Sequence, residues 1–329
     1  MKYDTKELAE FFSYQRCADS AIEKEFIRKY IDSKPGMRRD SFGNRFIKVG
    51  KTETAFTSHT DTVHNFKCGR QKVYMQEGWA FTTSGYCLGG DDGTGIWLML
   101  NMIYANVPGL YIFHREEESG GQGSNYVVNN AKNMVSGIKR MIALDRKGYG
   151  DVITHQGWSQ TCSDKFAQAL ANQLGGKYKP CDGGVFCDSA NYTDLIPECT
   201  NLSIGYFNAH SEDEIQDLSF ARQLFHKLKR VRWESLPTER TPGVKEYKGF
   251  FSYSDFKPYK PAVYKEWGYG DYRGYGLGHT TKVKSTKKDD KKLDSRYRDF
   301  DDWLDERIKK DEKKRKKGYD NYYSDYGVW

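Results

Sequence analysis

The chain has 329 residues, with 52 Lys+Arg against 45 Asp+Glu for a formal net charge of +7, and only 37% hydrophobic residues. That length allows one large domain or two ordinary ones with a real core, while the low hydrophobic share and high charge put part of the chain outside that core. A membrane span, a signal segment and a disulfide framework are not expected: apolar runs such as Ile96–Leu100 are short, the chain opens on Lys2, Asp4, Lys6 and Glu7, and its 7 cysteines form no CxxC.

In chain order, the first 35 residues read as one helix, with Leu8, Phe11, Phe12, Ala18, Ile22, Phe26, Ile27, Tyr30 and Ile31 near helical spacing and Pro35-Gly36 as its stop. Thr54–Ser58 reads as a strand, Gly95–Val107 as a helix, and Gly109–Phe113 and Arg140–Leu144 as strands. Phe166–Leu174 is a predicted helix, Asn201–Tyr206 a strand, and Asp217–Leu228 a closing helix with Leu218, Ala221, Phe225 and Leu228 on one side. Strands alternating with helices predict a three-layer α/β domain, its largely parallel (mixed) central sheet flanked by helices. The predicted domain covers residues 1–238, and a basic, Tyr/Lys-rich, disordered tail covers 239–329. The charge divides accordingly: residues 241–329 carry 22 Lys+Arg, 16 Asp+Glu and half of the 24 tyrosines, so the basic character belongs mainly to the tail. A short helix is expected around Phe300–Lys310.

The chemistry gathers where predicted strands end. His59-Thr60-Asp61 follows the first, Gly89-Gly90-Asp91-Asp92-Gly93 precedes the long helix, Glu116-Glu117-Glu118 follows the next strand, Asp145 ends another, and the last runs through Phe207 to His210. Open parallel sheets bind ligands outside the carboxyl ends of their strands. Two imidazoles and three carboxylates converging there suit a pair of divalent cations with one bridging carboxylate. Taken singly the pieces have plainer readings: His-x-Asp as a surface pair, Asp91-Asp92-Gly93 as a helix N-cap, the glutamate run as a solvated turn. Their order and placement together favour the metal site.

The chain resembles the co-catalytic zinc exopeptidases, a group including peptidase T, glutamate carboxypeptidases, zinc aminopeptidases and related deacylases. The resemblance rests on Asp40-Ser41-Phe42-Gly43-Asn44, Ser58-His59-Thr60-Asp61, Gly89-Gly90-Asp91-Asp92, Glu117-Glu118-Ser119-Gly120-Gly121-Gln122-Gly123, Leu144-Asp145 and Asn208-Ala209-His210, in the group's order over roughly residues 1–230. It implies that His59 and Asp145 hold one ion, Glu118 and His210 the other, and that Asp91 bridges them. It implies Asp61 as the residue orienting His59, and Glu117 as the general base that takes a proton from metal-activated water and passes it to the leaving nitrogen. Asp188, in Gly183–Asn191, resembles part of the group's substrate-side loop; it either faces substrate or braces the site. His64, His114 and His155 match no motif position and read as structural or surface residues. Cys87, Cys181 and Cys187 read as small buried residues rather than ligands.

Zinc is the expected metal, with manganese or cobalt as alternatives. Many of the group carry a satellite domain of ~100 residues. Only 64 residues separate Asp145 from His210 and 31 separate His59 from Asp91, so a bare catalytic domain is expected here. The expected function is hydrolysis of an amide bond in small peptides by a cytoplasmic zinc aminopeptidase. The alternatives are an N-acyl amino acid deacylase, or binding of nucleic acid or protein through the tail. For the last, lysines and tyrosines at 245–275 and the cluster at 313–317 would contact phosphates and stack on bases, although the tail's acidic residues weigh against it.

Overall fold

The computed structural model describes residues 2–64, 68–157, 159–244 and 300–316. The chain opens with two helices, α1 (Thr5–Phe12) and α2 (Ala21–Phe26), and α2 runs on through Ile27–Ile31 in a wider π-type turn. The single helix expected over this region is therefore broken. Each helix has its own start signal: Asp4 caps α1 in a box with Glu7, and the Ser20 side chain accepts from Glu23 N at the start of α2. Between them Asp19 takes a left-handed φ of 57°, a turn conformation that apolar spacing does not reveal. Cys17, in this break, is disulfide-bonded to Cys68, a separation of 51 residues with no local motif to announce it. Five further cysteines are free. Cytoplasmic residence would make the bond unusual, since reducing compartments keep most thiols reduced.

The elements that follow are β1 (Arg38–Arg39), β2 (Arg45–Val49), β3 (Thr54–His59), β4 (Val73–Gln76), β5 (Trp79–Thr82), α3 (Gly90–Tyr104), β6 (Gly109–His114), α4 (Gln122–Asn130) and β7 (Arg140–Arg146). The second half contains β8 (Asp151–Ile153), β9 (His155–Gln156), β10 (Ser159–Gln160), α5 (Asp164–Leu174), β11 (Lys179–Cys181), β12 (Glu198–Ser203), β13 (Tyr206–Phe207), β14 (Ile215–Asp217), α6 (Leu218–Leu228) and α7 (Phe300–Lys316). Eight strands form the main sheet in the order β1-β2-β6-β3-β7-β12-β8-β11. Its centre, β6-β3-β7-β12, is parallel, while β2 pairs antiparallel with β6 and β8 with β12. The predicted α/β class and mixed, largely parallel sheet are what the chain adopts. A second sheet, β13-β14-β5-β4, is antiparallel throughout and had no counterpart in the sequence reading.

Alternation along the central strands builds two cores. Phe56, Tyr111, Phe113, Ile142 and Leu144 face the larger one with α1, α3, α5 and α6; Ala55, Leu110, Ile112 and Met141 face a smaller one with Val127, Tyr192 and Ile196. Helix α3 is buried from Gly90 to Ile103, as expected of a helix apolar on every side. It lies so close to β7 that a Cβ on Gly95 would stand 2.1 Å from the Leu144 carbonyl oxygen. Gly95→Ala is accordingly expected to destabilise the fold by about 3 kcal/mol or more, read as a lower urea midpoint with an unchanged denaturant slope.

The chain remains packed beyond Pro237: Arg240 is buried and donates to the carbonyls of Gln160, Ile196, Pro197 and Thr193. The expected helix near Phe300–Lys310 is present and longer, reaching Lys316 as α7. Its described residues from Arg307 onward belong to the same compact unit as residues 2–244. The expectations of disorder and of base stacking at 245–299, and the end of the basic cluster at Lys317, lie outside the described residues. Among the described residues, no helix is long and apolar enough to cross a membrane.

Candidate metal centre

Three parallel strands deliver ligand-type side chains at their carboxyl ends. His59 ends β3, Asp145 is the penultimate residue of β7, and Glu117 and Glu118 follow β6 by three and four residues. Asp91 comes from the first turn of α3. His210 arrives differently from the expectation. The strand predicted to run on towards it divides at Ser203, and His210 follows β13, part of the antiparallel sheet. The division falls at Gly205, whose φ of 93° turns the chain from one sheet to the other.

Asp91 stands at the middle. Its Oδ1 is 3.0 Å from His59 Nε2 and its Oδ2 is 3.2 Å from His210 Nε2. His59 Nε2 is 3.7 Å from Asp145 Oδ1, and His210 Nε2 is 2.9 Å from Glu118 Oε1. Two triads result, His59–Asp91–Asp145 and Asp91–Glu118–His210, each with ligand atoms within 4.8 Å of one another, and they share Asp91. Glu117 groups with His59 and Glu118 within the same 4.8 Å limit, but belongs to neither of the Asp91 triads.

The neighbouring residues fix these positions. His59 Nδ1 lies 3.1 Å from the Asp61 carbonyl oxygen and 3.5 Å from the Asp61 carboxylate. That carboxylate is fully buried and accepts from the main-chain N–H groups of both Glu117 (3.2 Å) and Glu118 (3.1 Å). Asp61 thus connects the His59 turn to the glutamate turn, a wider task than orienting one imidazole. Asp92 performs the capping that sequence allowed for either aspartate: its Oδ1 accepts from Gly95 N at 2.9 Å, and its Oδ2 accepts from His59 N at 3.2 Å.

Several contributors were not visible in the sequence. Glu214 sits in Glu212-Asp213-Glu214, an acidic run with the composition of a solvated turn. It is buried, and its carboxylate accepts from Gly89 N (2.8 Å) and Asp91 N (3.0 Å), holding the turn that presents Asp91. Arg16 is fully buried and donates to the Thr60 carbonyl at 2.8 Å. Glu23 accepts from Thr60 Oγ1 at 2.6 Å and from Arg115 at 3.0 Å, bracing the His59–Asp61 turn from behind. Asp188 is 3% exposed and lies 3.1 Å from His114 Nδ1; His114 in turn contacts the Tyr192 hydroxyl at 2.7 Å. Asp188 is thus buried against His114. His64 is also internal, between the Thr62 hydroxyl and the Cys87 carbonyl, and burial lowers its pKa to about 4. Cys87 and Cys187 are buried as expected, whereas Cys181 is partly exposed.

The electrostatics of the cluster call for positive charge. Burial alone would lower the pKa of His59, yet Asp145, Asp61 and Asp91 hold it well above its usual value. His210 is likewise raised against its burial, by Glu118 and Asp91. Burial and the charge of Asp91 push Asp145 up to about 8, and burial with the same charge pushes Glu214 to about 7. Glu117 is held well above the carboxylate range by burial and by Glu118, Asp145 and Asp188. A crowd of buried carboxylates around two imidazoles is satisfied by cations. Oxygen and imidazole donors in this ratio suit borderline divalent ions, so the residues fit the pair of ions that the sequence suggested.

No protein-family model matches the sequence, and no curated protein matches it. Solved structures do match. Aminopeptidase PepT from Bacillus cereus superposes with a TM-score of 0.55 at 14% identity, over 68% of this chain and 96% of that one. A tripeptidase from Staphylococcus aureus gives 0.56 at 14% identity, over 70% and 96%. The TET1 peptidase of Pyrococcus horikoshii gives 0.55 at 15% identity, over 70% and 100%. The chain has the fold of these peptidases. In this chain the candidate site lies at the carboxyl ends of the parallel strands of the eight-stranded sheet.

Proposed function

We propose that this protein is a metal-dependent hydrolase of amide bonds in small peptides, acting as an aminopeptidase. The observation that carries the reading is Asp91, a single carboxylate with one oxygen facing each of two imidazoles. His59 and Asp145 would hold one ion, Glu118 and His210 the other, and Asp91 would serve both. Two divalent ions held there, zinc by preference, would supply Lewis acidity for the scissile carbonyl and for the attacking water. Glu117 would take a proton from the attacking water and deliver it to the leaving nitrogen. Its burial supports the assignment, because a desolvated carboxyl holds a proton more firmly. Asp61 keeps Glu117 and Glu118 in register through their main-chain amides, and Asp188 braces the site through His114.

The solved structures that share the fold include proteins titled aminopeptidase and tripeptidase, which favours peptides over N-acyl amino acids as substrates. Deacylation remains the second reading, because water attack on an amide serves both reactions. Aminoacyl anilides and N-acyl amino acids assayed side by side, with and without chelator, separate them. We expect turnover of the anilides that chelator abolishes and zinc restores. Turnover of N-acyl substrates alone would favour the deacylase, and no turnover with metal bound would remove the catalytic reading.

A further inference from the structure

The C-terminal helix packs against the turn that carries His210. Asp311, on α7, is 1% exposed although its helix is rich in charge. Its Oδ1 accepts from the main-chain N–H of Asn208 at 3.1 Å and lies 3.7 Å from Lys147 Nζ. Asn208 is two residues before His210, and Lys147 is two residues after Asp145. One buried carboxylate therefore touches both turns, each of which presents a ligand-type side chain to a different triad. Neighbouring contacts reinforce the placement. Asn208 Nδ2 donates to the Arg307 carbonyl at 3.1 Å, Arg307 reaches Asp213 at 3.3 Å, and Lys310 pairs with the same carboxylate.

Ser211 Oγ donates to the Asn208 carbonyl at 2.8 Å, closing the turn from within, and α7 meets it from outside. Asn208 and His210 both lie in the left-handed region, with φ of 55° and 61°, which residues with side chains seldom occupy unless their surroundings impose it. Four residues after His210, Glu214 anchors the Asp91 turn, which ties one end of this segment to the site. The outer side of the turn is held by α7.

We propose that α7 is a strap completing the metal centre and that Asp311 is a positioning residue, setting the His210 turn relative to Asp145. The tail of this chain thereby acts on the site, rather than only trailing from it. The inference rests on the two-ion reading above.

The test uses the full-length chain. Wild type, Asp311→Ala, Asp311→Asn and the exposed neighbour Glu312→Ala are dialysed with zinc against graded chelator, and metal per chain is counted. His210→Ala marks the loss of one ion. Wild type and Glu312→Ala should hold two ions. Asp311→Ala should bind the second about tenfold or more weakly while keeping the first, as His210→Ala does. Asp311→Asn, which keeps an oxygen for Asn208 N, should recover most of that affinity. Equal weakening of both ions together with a lowered unfolding midpoint would mean a merely structural residue and would overturn the proposal, as would two ions held by Asp311→Ala at wild-type affinity. Wild type holding no zinc would instead remove the two-ion reading. Hydrogen exchange of residues 206–214, measured without metal, tests the strap separately: Asp311→Ala should exchange faster there, and unchanged exchange would count against it.

Discussion

Glu117→Gln is expected to lower kcat by about 10²–10⁴-fold while both ions stay bound. Glutamine preserves the shape and the main-chain bond to Asp61 but cannot take up a proton. The residue lies outside both Asp91 triads, so a simultaneous loss of metal would contradict its assignment as a base. The same substitution at Glu118 should give the opposite pattern, because Glu118 Oε1 faces His210 at 2.9 Å: one ion weakens, and activity returns in part when zinc is raised. Metal counts and kcat on the two variants distinguish the adjacent glutamates. If Glu117→Gln retains the full rate, the general-base assignment is wrong.

Asp91→Ala should have the largest effect on metal content, with both ions lost at concentrations where His59→Ala or His210→Ala loses one. The reason is geometric: Asp91 is the residue common to the two triads. It also sits where two imidazoles hold its carboxyl well below the usual carboxylate range despite burial, so its negative charge persists in the fold. Removing it takes the central anion from between two groups that both require it. Activity should fall by at least the effect of either histidine substitution, and added zinc should not restore it. A variant that kept one ion tightly would show that the triads do not depend on a shared ligand.

The candidate ligands could be read from sequence because four of them follow a short apolar run and Asp91 opens the long apolar helix, and the parallel sheet brings those places together. His59, Asp91, Glu118, Asp145 and His210 are separated in sequence yet lie together in the structure, as the motif order suggested. The supporting residues could not be read in this way. Glu214, Glu23 and Arg16 are charged side chains of types usually found at the surface, and nothing local distinguishes a buried carboxylate that accepts two amides from one in water. The second sheet was missed because β4, β5, β13 and β14 have two to four residues each, too short for a periodicity. The long first helix was overcalled for the reverse reason: apolar spacing continued through a break that Ser20 and Asp19 impose on the backbone.

The passage of the chain from one sheet to the other at Gly205 has a consequence for stability. Four of the five candidate ligands are borne by the eight-stranded sheet and the helix against it, whereas His210 follows a strand of the smaller sheet. An ion held by Glu118, Asp91 and His210 would therefore crosslink the two sheets. Because such a site exists only in the folded chain, free zinc is expected to raise stability in proportion to the logarithm of its concentration once that exceeds the dissociation constant. Scarcity of metal would then loosen the seam between the sheets as well as silence the chemistry.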